Sequence, residues 1–126
     1  MQPVQLFDLA SQQAKWLSVR QATIAGNVAN ANTPGYTAMD VEPFEKVLAK
    51  TTPSMISTDA SHLGGDAFGS AIGMREEELQ VPVSPSGNSV VLEEEMIKAV
   101  DVRRAFELNT AIVKAFHRMI LMTTRS

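Results

Sequence analysis

The feature that most constrains the fold of this chain is the sequence of residues 25–38, where a long helical pattern comes to an end. Asn30 and Asn32 have short polar side chains that bond to nearby backbone groups and therefore disfavour continuation of a helix. Pro34 fits the first central position of a type II turn, and Gly35 supplies the positive φ that the second position requires. We therefore predict a turn between two parts of the chain. The residues expected to fix it are Asn27, Asn30, Asn32, Thr33, Pro34, Gly35 and Tyr36.

A heptad pattern precedes this turn and predicts a long helix. Between residues 3 and 31 the chain has no internal proline, and its first glycine is Gly26. Mostly apolar or small residues recur at alternating spacings of four and three, which is the spacing of a coiled-coil seam. Gln21 interrupts this stripe, as a polar seam residue does where it fixes helix register. The predicted seam positions are Pro3, Phe7, Ala10, Ala14, Leu17, Gln21, Ile24, Val28 and Ala31.

The stretch from Glu93 to Thr123 contains neither glycine nor proline and predicts a second long helix. Its first turn is acidic, which the helix dipole favours. Apolar residues recur every seven positions on one side, while Val100, Leu108 and Leu121 lie on other sides. A helix that is apolar on more than one side is usually buried on more than one side, and one partner helix cannot cover all of this surface. We therefore expect other copies or other subunits to cover part of it.

The segment between the two helices, residues 39–91, shows no sustained periodicity. A short helix is predicted over residues 41–49 because apolar residues there fall on one face. Residues 57–73 are rich in Ser, Gly, Asp and Ala and predict a flexible loop, without the Lys-Ser/Thr pair that closes a phosphate-binding loop. Alternation over residues 79–83 predicts a short edge strand, with residues 90–92 as its partner strand.

Composition and charge argue against several classes of function. The formal net charge is −3 and there is no basic block, so nucleic-acid binding is not expected. Cysteine is absent, and the two histidines, His62 and His117, are too far apart in sequence to form a metal-binding motif. Asp59 and Asp66 lie in the predicted loop, which is a poor platform for paired catalytic acids. We therefore predict no enzyme activity, no cofactor, no metal and no small-molecule substrate. No signal-peptide pattern and no membrane span are recognised either.

The sequences at both helix junctions resemble those of a known family. The Asn-rich helix end that runs into Asn32-Thr33-Pro34-Gly35-Tyr36 resembles the signature of the flagellar rod and hook family of axial proteins. The run from Gly87 to Met96, with its Gly, Asn and Val residues before an acidic stretch and a Glu-Met pair, is also similar to rod proteins. Gly26 and Thr37 depart from the family pattern, which usually has Asn and often has Lys at these places. Small size and a short middle segment resemble the proximal rod members.

This resemblance implies a structural subunit of the bacterial flagellar basal-body rod, which self-assembles through its terminal helices and transmits torque from the motor to the hook. The expected partners are further copies of itself, sister rod subunits, the membrane-embedded ring and the export gate. The expected location is the periplasm-spanning rod, reached by export without a cleaved signal peptide. Another rod or hook subunit is an alternative, as is a self-contained helical adaptor or chaperone of a secretion system. An adaptor needs helices that fold in the monomer, whereas an assembly subunit can order them on contact with neighbours.

The predicted fold is mainly α: two long terminal helices pack antiparallel in coiled-coil fashion, with a small irregular or β-containing middle. Residues 1–32 and 93–126 are expected to form one helical domain. Residues 33–92 are expected to hold the turn, the short helix, the flexible loop and the β-hairpin. The residues predicted to form the assembly interface are Phe7, Leu17, Ile24, Val28, Met96, Phe106, Val113, Phe116 and Ile120.

Overall fold

The structure of the protein, a computed structural model, describes residues 3–51, 71–77 and 85–125. Two long helices dominate it, and a small middle part contains a short helix and two short strands, which confirms the mainly α fold class. The loop predicted over residues 57–73 lies outside the described residues except for its last three. In chain order, the elements are α1 Pro3–Ala29, β1 Met39–Val41, α2 Phe44–Thr51, β2 Met74–Glu76 and α3 Leu92–Thr124.

Helices α1 and α3 pack antiparallel along a seam of apolar side chains. Near the start of α1, the ring of Phe7 meets that of Phe116 edge-on, with 5.7 Å between ring centroids. Further along α1, Leu17 and Ile24 pack with Val102, which lies nearer the start of α3, and all three are buried. Because contacts that advance along α1 move backwards along α3, the two helices run in opposite directions. Half-buried side chains that flank this core are Trp16, Ala105 and Phe106.

The inward positions of α1 differ from the predicted heptad in its second half. Gln21 is exposed, and Val28 is 45% exposed, so neither lies in the seam. The buried residues here are Thr23, Ile24 and Asn27. The prediction followed apolar residues, but near the C-terminal end of α1 the helix packs against the polar backbone of β1 as well as against α3. A polar residue therefore takes the inward position.

A polar pair does interrupt the seam, but it does not involve Gln21. Asn109 of α3 is 9% exposed, and its side-chain amide donates to the Ala10 carbonyl oxygen at 2.9 Å and to Gln13 Oε1 at 3.1 Å. A buried amide that can be satisfied in only one alignment penalises other alignments of the two helices. The register device expected at Gln21 thus lies nearer the other end of the helix pair.

The middle part is built on a two-stranded antiparallel sheet. Strand β1 pairs with β2 so that Met39 lies opposite Glu76 and Val41 opposite Met74. The hairpin predicted from residues 79–83 and 90–92 is not formed as expected, because residues 90–91 are irregular and Leu92 begins α3. Residues 79–83 lie outside the described part of the chain.

The short helix predicted over residues 41–49 begins later, at Phe44. The carbonyl oxygen of Pro43 accepts from the backbone N–H groups of Lys46 at 3.0 Å and Val47 at 3.2 Å, which closes the first turn. Proline fits this position because its fixed φ suits a helix start and its missing N–H has no partner there in any case. Val41 therefore lies before the helix, where it is the last residue of β1.

Candidate functional site

The end of α1 and the turn after it have the geometry expected from the sequence. The Tyr36 N–H donates to the Thr33 carbonyl oxygen at 3.3 Å, and between them Gly35 has a φ of 73°. Asn30 ends the helix: its side-chain amide donates to the Gly26 carbonyl oxygen at 2.8 Å. The same carbonyl oxygen also accepts from the Asn30 backbone N–H at 3.1 Å, so Asn30 bonds twice to the last turn of α1.

Asn27 joins the helix to the chain that leaves the turn. Its side chain is fully buried, with 0% exposure. The amide nitrogen donates to the Met39 carbonyl oxygen at 2.7 Å, and the Met39 N–H donates back to Asn27 Oδ1 at 3.1 Å. The Tyr36 hydroxyl donates to the same Oδ1 at 3.3 Å. The Asn27 side chain thus bonds to both backbone groups of Met39, the first residue of β1, as the backbone of a neighbouring strand would.

Asn88, which was not among the predicted site residues, holds the turn from the other side. It is 5% exposed, and its amide nitrogen donates to the carbonyl oxygens of Asn30 at 2.8 Å and Thr33 at 2.7 Å. Its Oδ1 accepts from the Val90 N–H at 2.8 Å. The Gly87-Asn88 pair before α3 was part of the sequence that resembles rod proteins. Nothing in the sequence showed that Asn88 contacts the turn after α1.

Backbone groups complete the junction. The Gly35 N–H donates to the Ser86 carbonyl oxygen at 2.9 Å, and the Ser89 N–H donates to the Tyr36 carbonyl oxygen at 3.0 Å. Gly87 has a φ of 79°, and a Cβ atom there would lie 3.4 Å from the Cα of Gly35. Both glycines thus adopt the positive φ that other residues rarely take where the two segments cross. We call this junction, formed by residues 26–39 and 86–90, the turn clasp.

A cluster of charged side chains lies beside the clasp, between α1, β1, β2 and α3. Arg20 donates from Nε to Asp40 Oδ1 at 3.3 Å. Lys98 of α3 donates to Glu95 Oε1 at 3.1 Å and to the carboxylate of Glu77, which follows β2. Burial lowers the pKa of Lys98. These pairs tie both strands of the middle part to the two long helices.

Glu95 is the unusual member of this cluster. It is 1% exposed, and its Oε2 has no hydrogen-bond partner among the described residues. Burial raises the pKa of this carboxyl, and the charges of Asp40 and Glu94 raise it further, while the amide of Asn27 and the charge of Arg20 oppose the shift. The sequence placed Glu95 only among the acidic residues of a helix start; nothing local shows that it turns inward.

The structure divides the predicted assembly residues into two groups. Val28 and Met96 are exposed, at 45% and 67%. The others are buried or half-buried on the sides of α1 and α3 that face each other, so they hold the chain's own helices together. These inward residues are Phe7, Leu17, Ile24, Phe106, Val113, Phe116 and Ile120. The opposite side of α3 takes no part in this contact between the two helices.

That opposite side of α3 carries many apolar side chains that the described residues leave uncovered. Monomeric proteins rarely expose a row of large apolar side chains along a whole helix, so such a row indicates a contact surface. Within the described residues no helix is long and apolar enough to cross a membrane. We call this surface the outward face of α3. Its exposed apolar residues are Leu92, Met96, Ile97, Val100, Leu108, Ile112, Met119, Leu121 and Met122.

Groups that could support catalysis are not assembled in the part of the chain that the structure describes. No three His, Cys, Asp or Glu side chains lie there in positions to hold a metal ion. His117 is exposed on α3. The predicted alternatives at Asp59, His62 and Asp66 lie outside the described residues.

Comparison with known proteins supports the family resemblance that the sequence shows at the two helix junctions. The profile of the family described as "Flagella basal body rod protein" matches residues 11–37, which span most of α1 and the turn after it. The chain is also 48% identical to the flagellar basal body rod protein FlgB of Agrobacterium fabrum over 129 aligned positions. That alignment covers 99% of this chain and 96% of the relative. The resemblance seen at the junctions therefore extends through the middle segment as well.

Proposed function

This chain belongs to the family of flagellar basal body rod proteins and is a structural subunit of the rod, not an enzyme, and we propose that it joins neighbouring subunits through the outward face of α3. The family likeness sets aside the alternative of a self-contained secretion adaptor, because it extends over nearly the whole chain. This proposal assigns the contact with neighbouring subunits to other residues than the sequence prediction did. The inward residues build the subunit, and the outward residues connect it.

The observation that carries this proposal is the exposure of large apolar side chains on α3. Ile97, Leu108 and Met119 are each at least 60% exposed although they lie on a helix that is well packed on its other side. Covering such a side chain fully stabilises a contact by about 1.5–3 kcal/mol. A row of exposed apolar side chains is the kind of surface that the core of a subunit contact buries.

The turn clasp has a mechanical part in this proposal. It fixes the middle segment to the helix pair through buried amides and backbone bonds, so that load on one is carried to the other. Asn27 and Asn88 would keep the two helix ends in one geometry while the rod rotates. Torque would then be transmitted from the motor to the hook through subunits whose parts do not move relative to one another.

We further propose a place for the subunit within the rod. The likeness to FlgB and the short middle segment favour the proximal rod. Its neighbours would be further copies, sister rod subunits, the membrane-embedded ring and the export gate. The chain would reach this place through the export apparatus of the flagellum itself, as the family resemblance implies.

The outward face can be tested without disturbing the fold. Leu108→Asp places a charge on a residue that is 62% exposed, so the free energy of unfolding should change by less than about 0.5 kcal/mol. In a cell whose own copy is replaced by the variant, the chain should be made but missing from purified basal bodies, and swimming should be lost. Lys46→Asp, on the exposed surface of α2, is the matched control and should assemble normally.

Normal incorporation of Leu108→Asp would sink the proposal that this face joins subunits. Val113→Asp is a less informative variant, although Val113 is among the residues that the sequence predicts to form the assembly interface. Val113 is half-buried on the inward side of α3, so a charge there would disrupt the helix pair and the assembly together.

A further inference from the structure

The three methionines of α3 all lie on its outward face. Met96, Met119 and Met122 are 67%, 60% and 65% exposed. The structure describes α3 in full, and the side that packs on α1 holds no methionine: its buried and half-buried apolar residues are Val, Ala, Phe and Ile. A chemical change confined to methionine would therefore alter the outward face and leave the contact between the two helices untouched.

Methionine differs from the other apolar residues of this face in one chemical respect. Its thioether sulfur carries lone pairs that a mild oxidant can attack, whereas Leu, Ile and Val side chains have none. With hydrogen peroxide, a sulfur lone pair bonds to one peroxide oxygen as the O–O bond breaks. The sulfur is oxidised to a sulfoxide, and the peroxide is reduced to water, which keeps both hydrogen atoms. A flexible apolar side chain thus becomes a polar one.

Resting on the proposed function, we propose that Met96, Met119 and Met122 are oxidation sites at which a peroxide-class oxidant prevents the free chain from joining its neighbours. Each sulfoxide oxygen is a hydrogen-bond acceptor, and covering it without a donor is unfavourable. The exposed side chains of Ile97 and Leu121, which belong to the same face, supply no donor. The oxidised chain keeps its fold and loses the apolar contact with neighbouring subunits.

Met74 of β2 offers a comparison within the same chain. Its side chain is 54% exposed, but its Sδ lies 3.5 Å from Oγ1 of Thr23, a residue that is only 6% exposed. The sulfur of Met74 therefore lies against α1, where an oxidant reaches it less readily. Met39 is half-buried, and Met1 and Met55 lie outside the described residues. We therefore expect the three sites on α3 to react before Met74 and Met39.

Assembly protects the same sites. Once neighbouring subunits cover the outward face of α3, its sulfur atoms are no longer exposed, and oxidation of methionine depends on exposure. The oxidant thus acts on the chain before assembly and not on the finished rod. Copies that carry sulfoxides on this face are left out, and intact copies are incorporated.

The chemistry is tested first on the purified chain. Hydrogen peroxide is added, and the sulfoxide at each methionine is followed over time by mass spectrometry. Sulfoxides should form on α3 about threefold or more faster than at Met74, because their formation follows exposure of the sulfur. The urea midpoint of unfolding should not shift, since the inward residues do not react. Equal or faster oxidation of Met74, or unfolding of the chain when the three sites react, would overturn this inference.

The effect on assembly is tested by competition within one cell. The cell makes the parent chain together with a triple variant, Met96→Leu, Met119→Leu and Met122→Leu, and peroxide is dosed until the unassembled parent chain carries sulfoxides at these positions. The ratio of variant to parent in purified basal bodies should rise by about tenfold or more over the ratio without peroxide, because only the parent must bury sulfoxides. General damage by the oxidant affects both chains alike.

Met74→Leu is the matched control in the same competition. It removes an exposed methionine that is not on α3, so peroxide should leave its ratio to the parent unchanged. A second readout needs no variant. The sulfoxide fraction at the three sites should be about tenfold or more lower in the parent chain from basal bodies than in the unassembled parent chain.

The outcomes separate this inference from the proposed function. An unchanged ratio of triple variant to parent overturns the inference and leaves the rod assignment intact. Equal sulfoxide fractions in the assembled and unassembled parent chain overturn it as well. A parent chain that is missing from basal bodies even without peroxide, although it is made and folded, overturns the proposed function and, with it, this inference.

Discussion

A single buried amide does much to hold this subunit together. Asn27 makes two hydrogen bonds to the backbone of Met39 and accepts one from the hydroxyl of Tyr36. Because the side chain is fully buried, removing the amide takes away the partners of the Met39 N–H and carbonyl groups at a site that bulk water does not reach. The strength of the clasp therefore depends on this residue more than on the exposed ones around it.

We expect Asn27→Ala to lower the free energy of unfolding by about 2–4 kcal/mol, because it leaves buried backbone donors and acceptors unsatisfied. Urea unfolding followed by circular dichroism measures the change. Asn32→Ala is the matched control: the side chain is exposed, and its loss should cost less than about 0.5 kcal/mol. Equal effects of the two variants would contradict the role given to Asn27.

Glu95 makes the stability of the subunit depend on pH in a definite direction. Its pKa in the folded state is raised above the ordinary value of 4.5 because the carboxyl is buried. A carboxyl with a raised folded pKa binds its proton more tightly in the folded chain. Its contribution to stability is therefore most favourable below about pH 4.5 and is lost as the pH rises through the folded pKa.

Glu95→Gln should remove this dependence. At neutral pH the variant should be more stable than the parent, because a neutral amide replaces a buried charge whose Oε2 is unpaired, while Lys98 keeps the carboxylate of Glu77 as its partner. The difference should shrink as the pH falls through the raised pKa and below 4.5, where the carboxyl becomes protonated in both the folded and the unfolded state. Thermal unfolding across this pH range measures it, with exposed Glu94→Gln as the control. A constant difference at all pH values would contradict the account.

The sequence revealed local geometry at the residue scale but not distant partners. The positive φ of Gly35 follows from the Pro-Gly pair alone. By contrast, Asn88 bonds to Asn30 across 58 positions of the chain, and the inward turn of Glu95 depends on packing against other elements. Such contacts leave no periodicity or spacing in the sequence, so only the folded arrangement shows them.

At the scale of elements, the turn after α1 decides how the helix pair meets the middle part. Pro34 restricts the unfolded chain, and Gly35 adopts a φ that costs other residues about 1 kcal/mol or more. We expect Pro34→Ala with Gly35→Ala to lower the free energy of unfolding by about 1–3 kcal/mol and to reduce incorporation into basal bodies more than expression or export. Unfolding curves and subunit yields measure these effects.

Gly26→Ala is the matched control for that variant. Gly26 lies within α1, and a Cβ atom there would meet nothing within 4 Å. Alanine should therefore stabilise the helix by about 0.5–1 kcal/mol. Normal motility and stability with alanine at both positions 34 and 35 would contradict the role of the turn.

The long elements could be predicted because their patterns are long. Both terminal helices follow from stretches of about 30 residues that lack internal proline, and the structure places them at Pro3–Ala29 and Leu92–Thr124. The strands could not be predicted in this way. Each has three residues, β2 is exposed throughout, and their pairing joins segments more than 30 residues apart. Short elements of this kind are specified by their neighbours and not by alternation.

At the scale of the whole molecule, the two long helices bury apolar side chains between them, while the other side of α3 carries apolar side chains that remain exposed. The seam of α1 and α3 buries Leu17, Ile24 and Val102, and the polar pair of Asn109 with Gln13 aligns it. The outward face of α3 remains apolar and exposed. The subunit can therefore fold through its own seam and still need neighbours to cover its remaining surface, which is the behaviour expected of a rod component.

The most direct test of this account is the accessibility of position 108 before and after assembly. Leu108→Cys and the control Lys46→Cys are each labelled with a small maleimide, first in the purified chain and then in isolated basal bodies, and the labelled fractions are compared by mass spectrometry. The account predicts that both sites react in the free chain and that position 108 becomes protected in the rod while position 46 keeps reacting. Equal labelling of position 108 in both states would contradict the claim that neighbouring subunits cover the outward face of α3.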